Sequence, residues 1–167
     1  VDGMEGFIPK KEFWDSLDRY IPLLTNSRKR YSYYNSEYRI VSINSWRRMN
    51  ASDWKKSGLF HHEYGHAMDY TSPIEEWQKR QDVIDVWHAV KEHIKNNKTH
   101  YEELYNSLVS SDPTWKTDWN KVEQVGSFSD IFQAATGKRL NALGHDEDYY
   151  KYESAQIVEF LAHASEN

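Results

Sequence analysis

The chain has 167 residues, which suits one domain with a sizeable core over residues 1–167. Its 26 acidic and 21 basic residues give a formal net charge of −5, which argues against nucleic acid or an anionic membrane surface as the partner. There is no cysteine, so a bound metal would need histidine and carboxylate ligands. No apolar run approaches the roughly 18 residues that span a bilayer, so we expect no membrane segment.

The first predicted elements in chain order are a helix, a loop and a strand. Residues 10–25 carry apolar side chains at helical spacing, whereas residues 26–37 are polar and aromatic and predict a loop. The stretch "YRIVSI", residues 38–43, is rich in β-branched residues and is the best strand in the chain. The sequence begins without Met and stops abruptly at "AHASEN", so we expect it to be a fragment of a longer protein.

A second helix is predicted over about residues 52–70, because apolar residues recur along it at helical spacing. Ser72, Pro73 and Glu75 then have the residue types of an N-cap, a first helical position and a capping box. We therefore expect a long helix to begin at Ser72 and to run to about Asn97.

The second half of the chain predicts three more helices, over residues 101–109, 129–137 and 148–164. The stretch 110–127 between the first two indicates a loop or a broken element, and Gly137 supplies a helix stop signal. The sequence therefore predicts an α+β fold that is mainly helical, with a small sheet and no internal domain boundary.

The most informative stretch is "LFHHEYGHAMDY", residues 59–70, which places His62, Glu63 and His66 in an H-E-x-x-H pattern. Residues four apart lie on one face of a helix with Cβ atoms about 5–6 Å apart, so the two histidines can direct imidazole nitrogens at one point. Zinc binds such nitrogens at about 2.0–2.1 Å in a tetrahedral arrangement. Glu63 sits about 100° round the helix, where it could act as a general base toward a water in an open position.

Two neighbours of the motif favour a metal over coincidence, since shuffled chains of this composition contain the pattern in roughly 3% of cases. Gly65 lies inside the predicted helix, where glycine costs about 1 kcal/mol relative to alanine and therefore indicates a packing reason. Asp69 lies three residues after His66, where it could accept a hydrogen bond from a ligand imidazole. We therefore expect a site for one zinc ion.

A catalytic zinc site needs a third protein ligand and one open position. Three histidines in a charged helical region are expected at the surface: His88, His93 and His100. Glu159 is a stronger candidate, because it is embedded among apolar residues of an amphipathic helix, where a lone charge is costly unless paired or bound to metal. An ordinary exposed helix glutamate remains the alternative. His163, one turn further along, could contact the metal or orient Glu159.

The order of these motifs resembles that of the gluzincin metallopeptidases, in which a glutamate on a second helix completes an HExxH zinc site. "HEYGHA" at 62–67 and "EFLAHA" at 159–164 are similar to the catalytic domain of anthrax lethal factor and its relatives, which carry a tyrosine seven residues before the glutamate. "SDIFQAATGK" at 129–138, "GHDEDYY" at 144–150 and "EFLA" at 159–162 resemble, in the same order, the metallopeptidase-like domain of phage minor head proteins. The second likeness is the more specific.

The resemblance implies a zincin-like fold whose small sheet lies beside the HExxH helix, with one zinc ion as the cofactor. It implies His62, His66 and Glu159 as the zinc ligands and Glu63 as the general base. It also implies Tyr152, seven residues before Glu159, as the residue that donates a hydrogen bond to the oxyanion of the tetrahedral intermediate. Residues seven apart on a helix share a face, so Tyr152 and Glu159 could both face the metal.

Three residues remain alternatives to Tyr152 in that catalytic role, namely His145, Tyr149 and Tyr150. In this group of enzymes the position four residues after the ligand glutamate is often acidic and orients a ligand histidine. Here that position is His163, so the chain departs from the pattern at the orienting position. In gluzincins a strand beside the cleft pairs with extended substrate through its edge, and "YRIVSI" lies where such a strand is expected.

The leading hypothesis is a zinc metalloendopeptidase that acts on a peptide or protein substrate. The second is a phage virion component, bound to head or portal proteins, whose zinc site serves folding. A fourth protein ligand such as His163 or Asp148 would mark such a closed site. The third hypothesis is a toxin-like effector protease. The phage likeness would place the protein in the virion or in the cytoplasm of the bacterial host.

Overall fold

The computed structural model describes residues 23–26, 32–43, 53–72, 75–146 and 148–166. The chain divides into two compact units. The first unit contains the described residues up to Trp77 and those from Leu161 onwards, and the second runs from Gln78 to Phe160. The described residues are mostly helical with a small sheet, which confirms the α+β prediction. The expectation of a single domain over residues 1–167 stays a prediction.

The sheet of the first unit has three short strands, β1 (Leu23–Asn26), β2 (Tyr33–Asn35) and β3 (Ile40–Ile43). β3 lies in the middle, with β1 paired to it in parallel and β2 antiparallel. Val41 of β3 is buried, as expected for a β-branched residue on the covered face of a strand. The strand predicted within "YRIVSI" is therefore confirmed.

Other predictions for this region are wrong at the residues that the structure describes. The predicted helix over residues 10–25 overlaps β1 at its end, and residues 10–22 lie outside the described part of the chain. The predicted loop over residues 26–37 contains β2. Both strands are stabilised by hydrogen bonds to β3, which local periodicity does not reveal. Substrate addition at the edge of β3 is also wrong, because β3 is paired on both sides.

The first helix, α1 (Asp53–Thr71), confirms the prediction over residues 52–70. It packs against β2 and β3. The rings of Tyr70 in α1 and Tyr34 in β2 have their centroids 6.0 Å apart, within the range of aromatic contacts. The small sheet therefore lies beside the helix that carries the HExxH motif, as the resemblance implied.

The next helix begins later than the sequence predicts. α2 spans Gln81–Asn96, and Glu75 lies outside any helix. The predicted N-cap at Ser72 and its capping box with Glu75 are therefore wrong. Arg80 is extended directly before α2, and its guanidinium donates hydrogen bonds to the Asp82 carboxylate at 3.0 Å and 2.6 Å. These bonds lower the pKa of Asp82, and its negative charge in the first turn favours a helix start there.

The second unit combines α2 with α3 (Lys98–Ser111), α4 (Trp119–Gln124) and α5 (Gly126–Thr136). α3 extends the helix predicted over residues 101–109 at both ends. The stretch predicted as a loop or broken element over residues 110–127 contains a 3₁₀ turn, α4 and the start of α5. α5 packs against α2.

The core of the second unit contains large rings from α2 and α5. Trp87 of α2 and Phe132 of α5 are both 0% exposed, and Trp87 lies 5.5 Å from the ring of Phe160. Burial of a large apolar side chain stabilises a fold by about 1.5–3 kcal/mol. Gly137 ends α5 with a φ of 75°, a left-handed conformation that glycine adopts without steric strain. The predicted stop signal is therefore confirmed.

The last predicted helix, over residues 148–164, is broken near its start. A 3₁₀ turn at Tyr149–Lys151 is followed by Tyr152, whose backbone is extended (φ −102°, ψ 135°). The helix α6 then runs over Glu153–Ala164, beginning in the second unit and ending in the first. No helix in the described part of the chain combines the length and the apolar composition that a bilayer crossing needs.

Candidate metal centre

The two histidines of the HExxH motif lie side by side on α1. Their ring centroids are 4.8 Å apart with the ring planes at 89°. A ligand nitrogen of His62 lies within 4.8 Å of one of His66, and both side chains are partly buried. One helical turn separates the two residues, so the backbone of α1 itself brings two metal-binding nitrogens together.

Two acidic residues of α1 are buried in the same part of the helix. Glu63 is 5% exposed and Asp69 is 0% exposed. A buried carboxylate needs hydrogen bonds or a cation to offset its loss of hydration. The roles expected of Glu63 as general base and of Asp69 as acceptor for a ligand imidazole are compatible with this burial, and they stay predictions.

Gly65, between the two histidines, lets the end of the chain approach α1 closely. A Cβ at this position would meet the Ser165 hydroxyl and would lie 3.0 Å from the backbone of Ala162. The Ser165 hydroxyl, which has one proton to donate, lies 2.8 Å from the His61 carbonyl and 2.6 Å from the Ala162 carbonyl. The glycine therefore has the packing reason that its position inside a helix predicted.

Glu166 joins two imidazoles in the first unit. Its Oε1 lies 2.8 Å from His62 Nδ1 and 2.9 Å from His163 Nδ1. The centroids of the two imidazole rings are 4.5 Å apart. Ligand atoms of these three residues, which we call the first cluster, lie within 4.8 Å of one another. The side chains are only 12% to 16% exposed. Water therefore competes weakly for their hydrogen bonds.

Glu166 was not among the residues that the sequence predicted. It lies 104 residues after His62, and no periodic pattern links positions so far apart. A local signal was nevertheless present. The position four residues after Glu159 is His163 rather than an acidic residue, and the next acidic side chain is Glu166. An orienting carboxylate could therefore have been sought one turn further along.

In the second unit, Glu159 of α6 is 2% exposed, so the alternative of an ordinary exposed helix glutamate is wrong. The Tyr149 hydroxyl donates a hydrogen bond to Glu159 Oε1 at 2.6 Å. Asp130 of α5, 6% exposed, contributes a second buried carboxylate with an oxygen within 4.8 Å of one of Glu159. Two such carboxylates repel each other unless donors or a cation offset their charge.

His145 faces both of these carboxylates. Its Nε2 lies 3.5 Å from Glu159 Oε1 and 3.6 Å from Asp130 Oδ2, distances that are long for hydrogen bonds but short for charge interactions. Its ring stacks on that of Tyr149, with 3.8 Å between the centroids. We call Asp130, His145, Tyr149 and Glu159 the second cluster.

The backbone of His145 is held by α5 and the loop after it. Gln133 Nε2 donates to the His145 carbonyl at 2.8 Å, and the His145 N–H donates to Gln133 Oε1 at 3.0 Å. Arg139 donates to the same carbonyl. Gly144 has a φ of 143°, and a Cβ there would meet Gln133 Oε1, so this position requires glycine. The motif "SDIFQAATGK" thus holds the motif "GHDEDYY" in place.

The tyrosines expected near the oxyanion differ in their surroundings. Tyr150 is 7% exposed, and burial, together with the negative charges of Asp130 and Glu159, raises its pKa, so its hydroxyl keeps its proton. Tyr152 is 67% exposed and precedes α6. The expectation that Tyr152 shares a helix face with Glu159 is wrong, because the backbone is extended at Tyr152. Tyr149 is the tyrosine that bonds Glu159, and the catalytic roles of all three stay predictions.

Other candidates lie at the surface of the second unit. The three histidines expected there are exposed, as predicted, namely His88, His93 and His100. His88 Nε2 lies 3.0 Å from Glu153 Oε1, and both side chains are about half exposed. Asp148 is exposed as well. An exposed pair of this kind contributes little to stability, since water screens it.

No protein-family model, curated protein or solved structure matches the chain. The likeness to gluzincins therefore rests on the motifs of the sequence. Imidazole nitrogens and carboxylate oxygens are donors that zinc and related divalent cations accept in proteins. The described side chains include groups of this composition that could hold a metal ion.

Proposed function

We propose that the chain is a zinc metallopeptidase of the gluzincin type, with a zincin-like fold and one zinc ion. The observation that carries this proposal is the pair His62 and His66, whose nitrogens lie within 4.8 Å of each other on consecutive turns of α1. Glu63, which is buried on the same helix, has the residue type and the position that a general base needs in this motif. One helix therefore supplies two ligands and the base.

Glu159 is proposed as the third ligand. It is a nearly fully buried glutamate in α6, the helix that carries His163 one turn later. Cation binding would stabilise such a carboxylate, because it offsets the lost hydration. The motif resemblance assigns the same role to this glutamate. With His62 and His66 it would give two nitrogen donors and one oxygen donor, which leaves one position open for catalysis.

When bound, zinc would supply Lewis acidity, which polarises a peptide carbonyl and makes water more acidic. Glu63 would accept the proton of the attacking water and pass it to the leaving amine. A hydrogen-bond donor must stabilise the charge that develops on the carbonyl oxygen. Tyr149 and His145 are favoured over Tyr152 for this task, since both lie against Glu159 in the second unit.

A second candidate function is a virion component whose zinc site serves folding. The observation that favours it is the first cluster, in which His62, His163 and Glu166 offer three ligand atoms within 4.8 Å inside one unit. Such a site would not need Glu159, and a fourth protein ligand beside these three would close it and leave no position for catalysis. Phage head or portal proteins would then be the partners. A toxin-like effector protease remains the third hypothesis.

Metal analysis of the purified chain tests the ligand set. We expect about one zinc ion per chain, lost in His66→Ala and strongly reduced in Glu159→Ala. Glu153→Ala is the matched control, because Glu153 lies in the same helix with its side chain 48% exposed. An unchanged zinc content in Glu159→Ala would contradict the proposed ligand set and favour the first cluster.

Hydrolysis of a denatured protein such as casein tests the reaction. We expect Glu63→Gln to keep its zinc while hydrolysis falls about 10²- to 10⁴-fold, the range for loss of a general base. Chelation should abolish wild-type hydrolysis and added zinc should restore it. A zinc-bearing Glu63→Gln that hydrolyses as fast as wild type would exclude the base role. A zinc-bearing wild type that cleaves no denatured protein would favour the folding role.

A further inference from the structure

Glu166 shares one carboxylate oxygen between two histidines, and this constrains where their protons lie. A carboxylate accepts hydrogen bonds and donates none. When Glu166 is ionised and no metal is bound, the distances of 2.8 Å and 2.9 Å to its Oε1 therefore place a proton on Nδ1 of both His62 and His163. In a neutral imidazole the other nitrogen, Nε2, then carries the lone pair that can bind a metal.

We propose that Glu166 is a positioning residue, which holds His62 with Nε2 available to the metal ion. The inference rests on the proposed function, because it assigns a task within the same zinc site. Metal-binding histidines commonly donate their second N–H to a carboxylate, which fixes the tautomer and the ring orientation. In this chain the carboxylate comes from Glu166, and His163 donates to the same oxygen.

The segment that carries Glu166 is held in place by several contacts. The Ser165 hydroxyl reaches the His61 carbonyl at 2.8 Å and occupies the space that a Cβ on Gly65 would fill. His163 belongs to α6, so its bond to Glu166 ties the carboxylate to a regular helix. The side chains of the first cluster are at most 16% exposed, which protects the two bonds from competition with water.

The first cluster admits a rival arrangement in which Glu166 is itself a metal ligand. Nδ1 of His62 would then lose its proton and face the metal together with the Glu166 oxygen. The two arrangements differ in one measurable respect, the nitrogen of His62 that the metal occupies. It is Nε2 if Glu166 positions the ring and Nδ1 if Glu166 is a ligand.

NMR of ¹⁵N-histidine-labelled protein distinguishes these arrangements. In the metal-free chain at about pH 8, where an unperturbed imidazole is neutral, we expect His62 and His163 to be Nδ1–H tautomers. Glu166→Ala should shift His62 toward the mixture of tautomers found in free histidine. Glu103→Ala, which removes an exposed glutamate of α3, should leave His62 unchanged. A His62 tautomer that is the same in wild type and in Glu166→Ala would overturn the proposal.

Zinc titration tests the consequence for the metal. Glu166→Ala should weaken zinc binding about 10- to 100-fold, the usual effect of removing a carboxylate behind a ligand histidine. The zinc-loaded wild type should carry the metal on Nε2 of His62. Metal on Nδ1, or an unchanged affinity in Glu166→Ala, would overturn the proposal. A wild type that binds no zinc would refute the proposed function, while the tautomer comparison would still decide whether Glu166 fixes His62.

Discussion

The first and second clusters bring histidines and carboxylates together with different geometry. In the first cluster, Glu166 Oε1 lies 2.8 Å and 2.9 Å from two imidazole nitrogens, so hydrogen bonds fix both rings. In the second cluster, His145 Nε2 lies 3.5 Å and 3.6 Å from two carboxylates, and the Tyr149 hydroxyl supplies a short hydrogen bond to Glu159.

This difference in geometry suits the histidines of the first cluster and the histidine of the second cluster to different tasks. A ring held by short N–H···O bonds keeps one tautomer and one orientation, which suits the metal-ligand role proposed for His62. The His145 side chain is 36% exposed, and its ring nitrogen lies farther from the carboxylates that it faces. These contacts are longer than hydrogen bonds, and the His145 ring is also held by its stacking on Tyr149. The role expected of His145, a hydrogen-bond donor to the oxyanion, stays a prediction.

The largest effect is expected in the core of the unit that carries the second cluster. Trp87→Ala should lower the free energy of unfolding by about 3–5 kcal/mol, because a fully buried indole leaves a cavity. Trp119, which is 46% exposed, provides the control, and Trp119→Ala should change this free energy by less than about 0.5 kcal/mol. Urea denaturation followed by circular dichroism measures both. If both variants lowered the free energy of unfolding equally, α2 would not contribute Trp87 to the core of the second unit.

The hydrogen bond of the second cluster gives the next effect. Tyr149→Phe should lower the free energy of unfolding by about 1.5–3 kcal/mol, because it removes the donor to the buried Glu159 carboxylate. Tyr152→Phe is the matched control, and its 67% exposure predicts a change within about 0.5 kcal/mol. Thermal and urea denaturation measure the difference. If both variants unfold alike, Tyr149 does not stabilise Glu159.

A smaller effect is expected where the chain end meets α1, next to the first cluster. Gly65→Ala should destabilise the fold by about 1 kcal/mol, because the clash with Ser165 outweighs the gain in helix propensity. Adding Ser165→Gly should recover only part of the loss, since the new methyl group would still lie 3.0 Å from the backbone of Ala162. A double-mutant cycle on urea midpoints measures this coupling. Strict additivity would show that Gly65 and Ser165 do not touch.

The smallest effect is expected from the partly exposed ion pair of Lys121 and Asp112, with which the effects in the two clusters can be compared. Hydrogen bonds from Lys121 and Thr114 lower the pKa of Asp112 from 3.8 to about 2. A carboxyl whose folded pKa is lowered stabilises the fold above its unfolded pKa, and the contribution is lost as the pH falls toward about 2. The difference in the free energy of unfolding between wild type and Asp112→Asn should therefore shrink as the pH falls from 3.8 to about 2. A difference that stays constant between these pH values would exclude the interaction.

Some helices and helix ends could be predicted from the sequence, whereas other helix ends and two strands could not. The helix α1 and the stop at Gly137 were predicted, because helical spacing and the left-handed preference of glycine are local properties. The start of α2 was missed, because the capping residue types around Ser72 express only a weak local preference. β1 and β2 were missed, because short strands depend on pairing with a partner strand.

The sequence by itself determined that His62 and His66 share one face, since the helix repeat relates residues four apart whatever surrounds them. It also indicated Glu159, whose apolar neighbours predicted burial. Only the tertiary structure decided that Glu166, 104 residues from His62, bonds that ring, and that Tyr149 rather than Tyr152 bonds Glu159. The physical reason is that contacts between distant residues depend on how the chain turns and packs, and no local period encodes them.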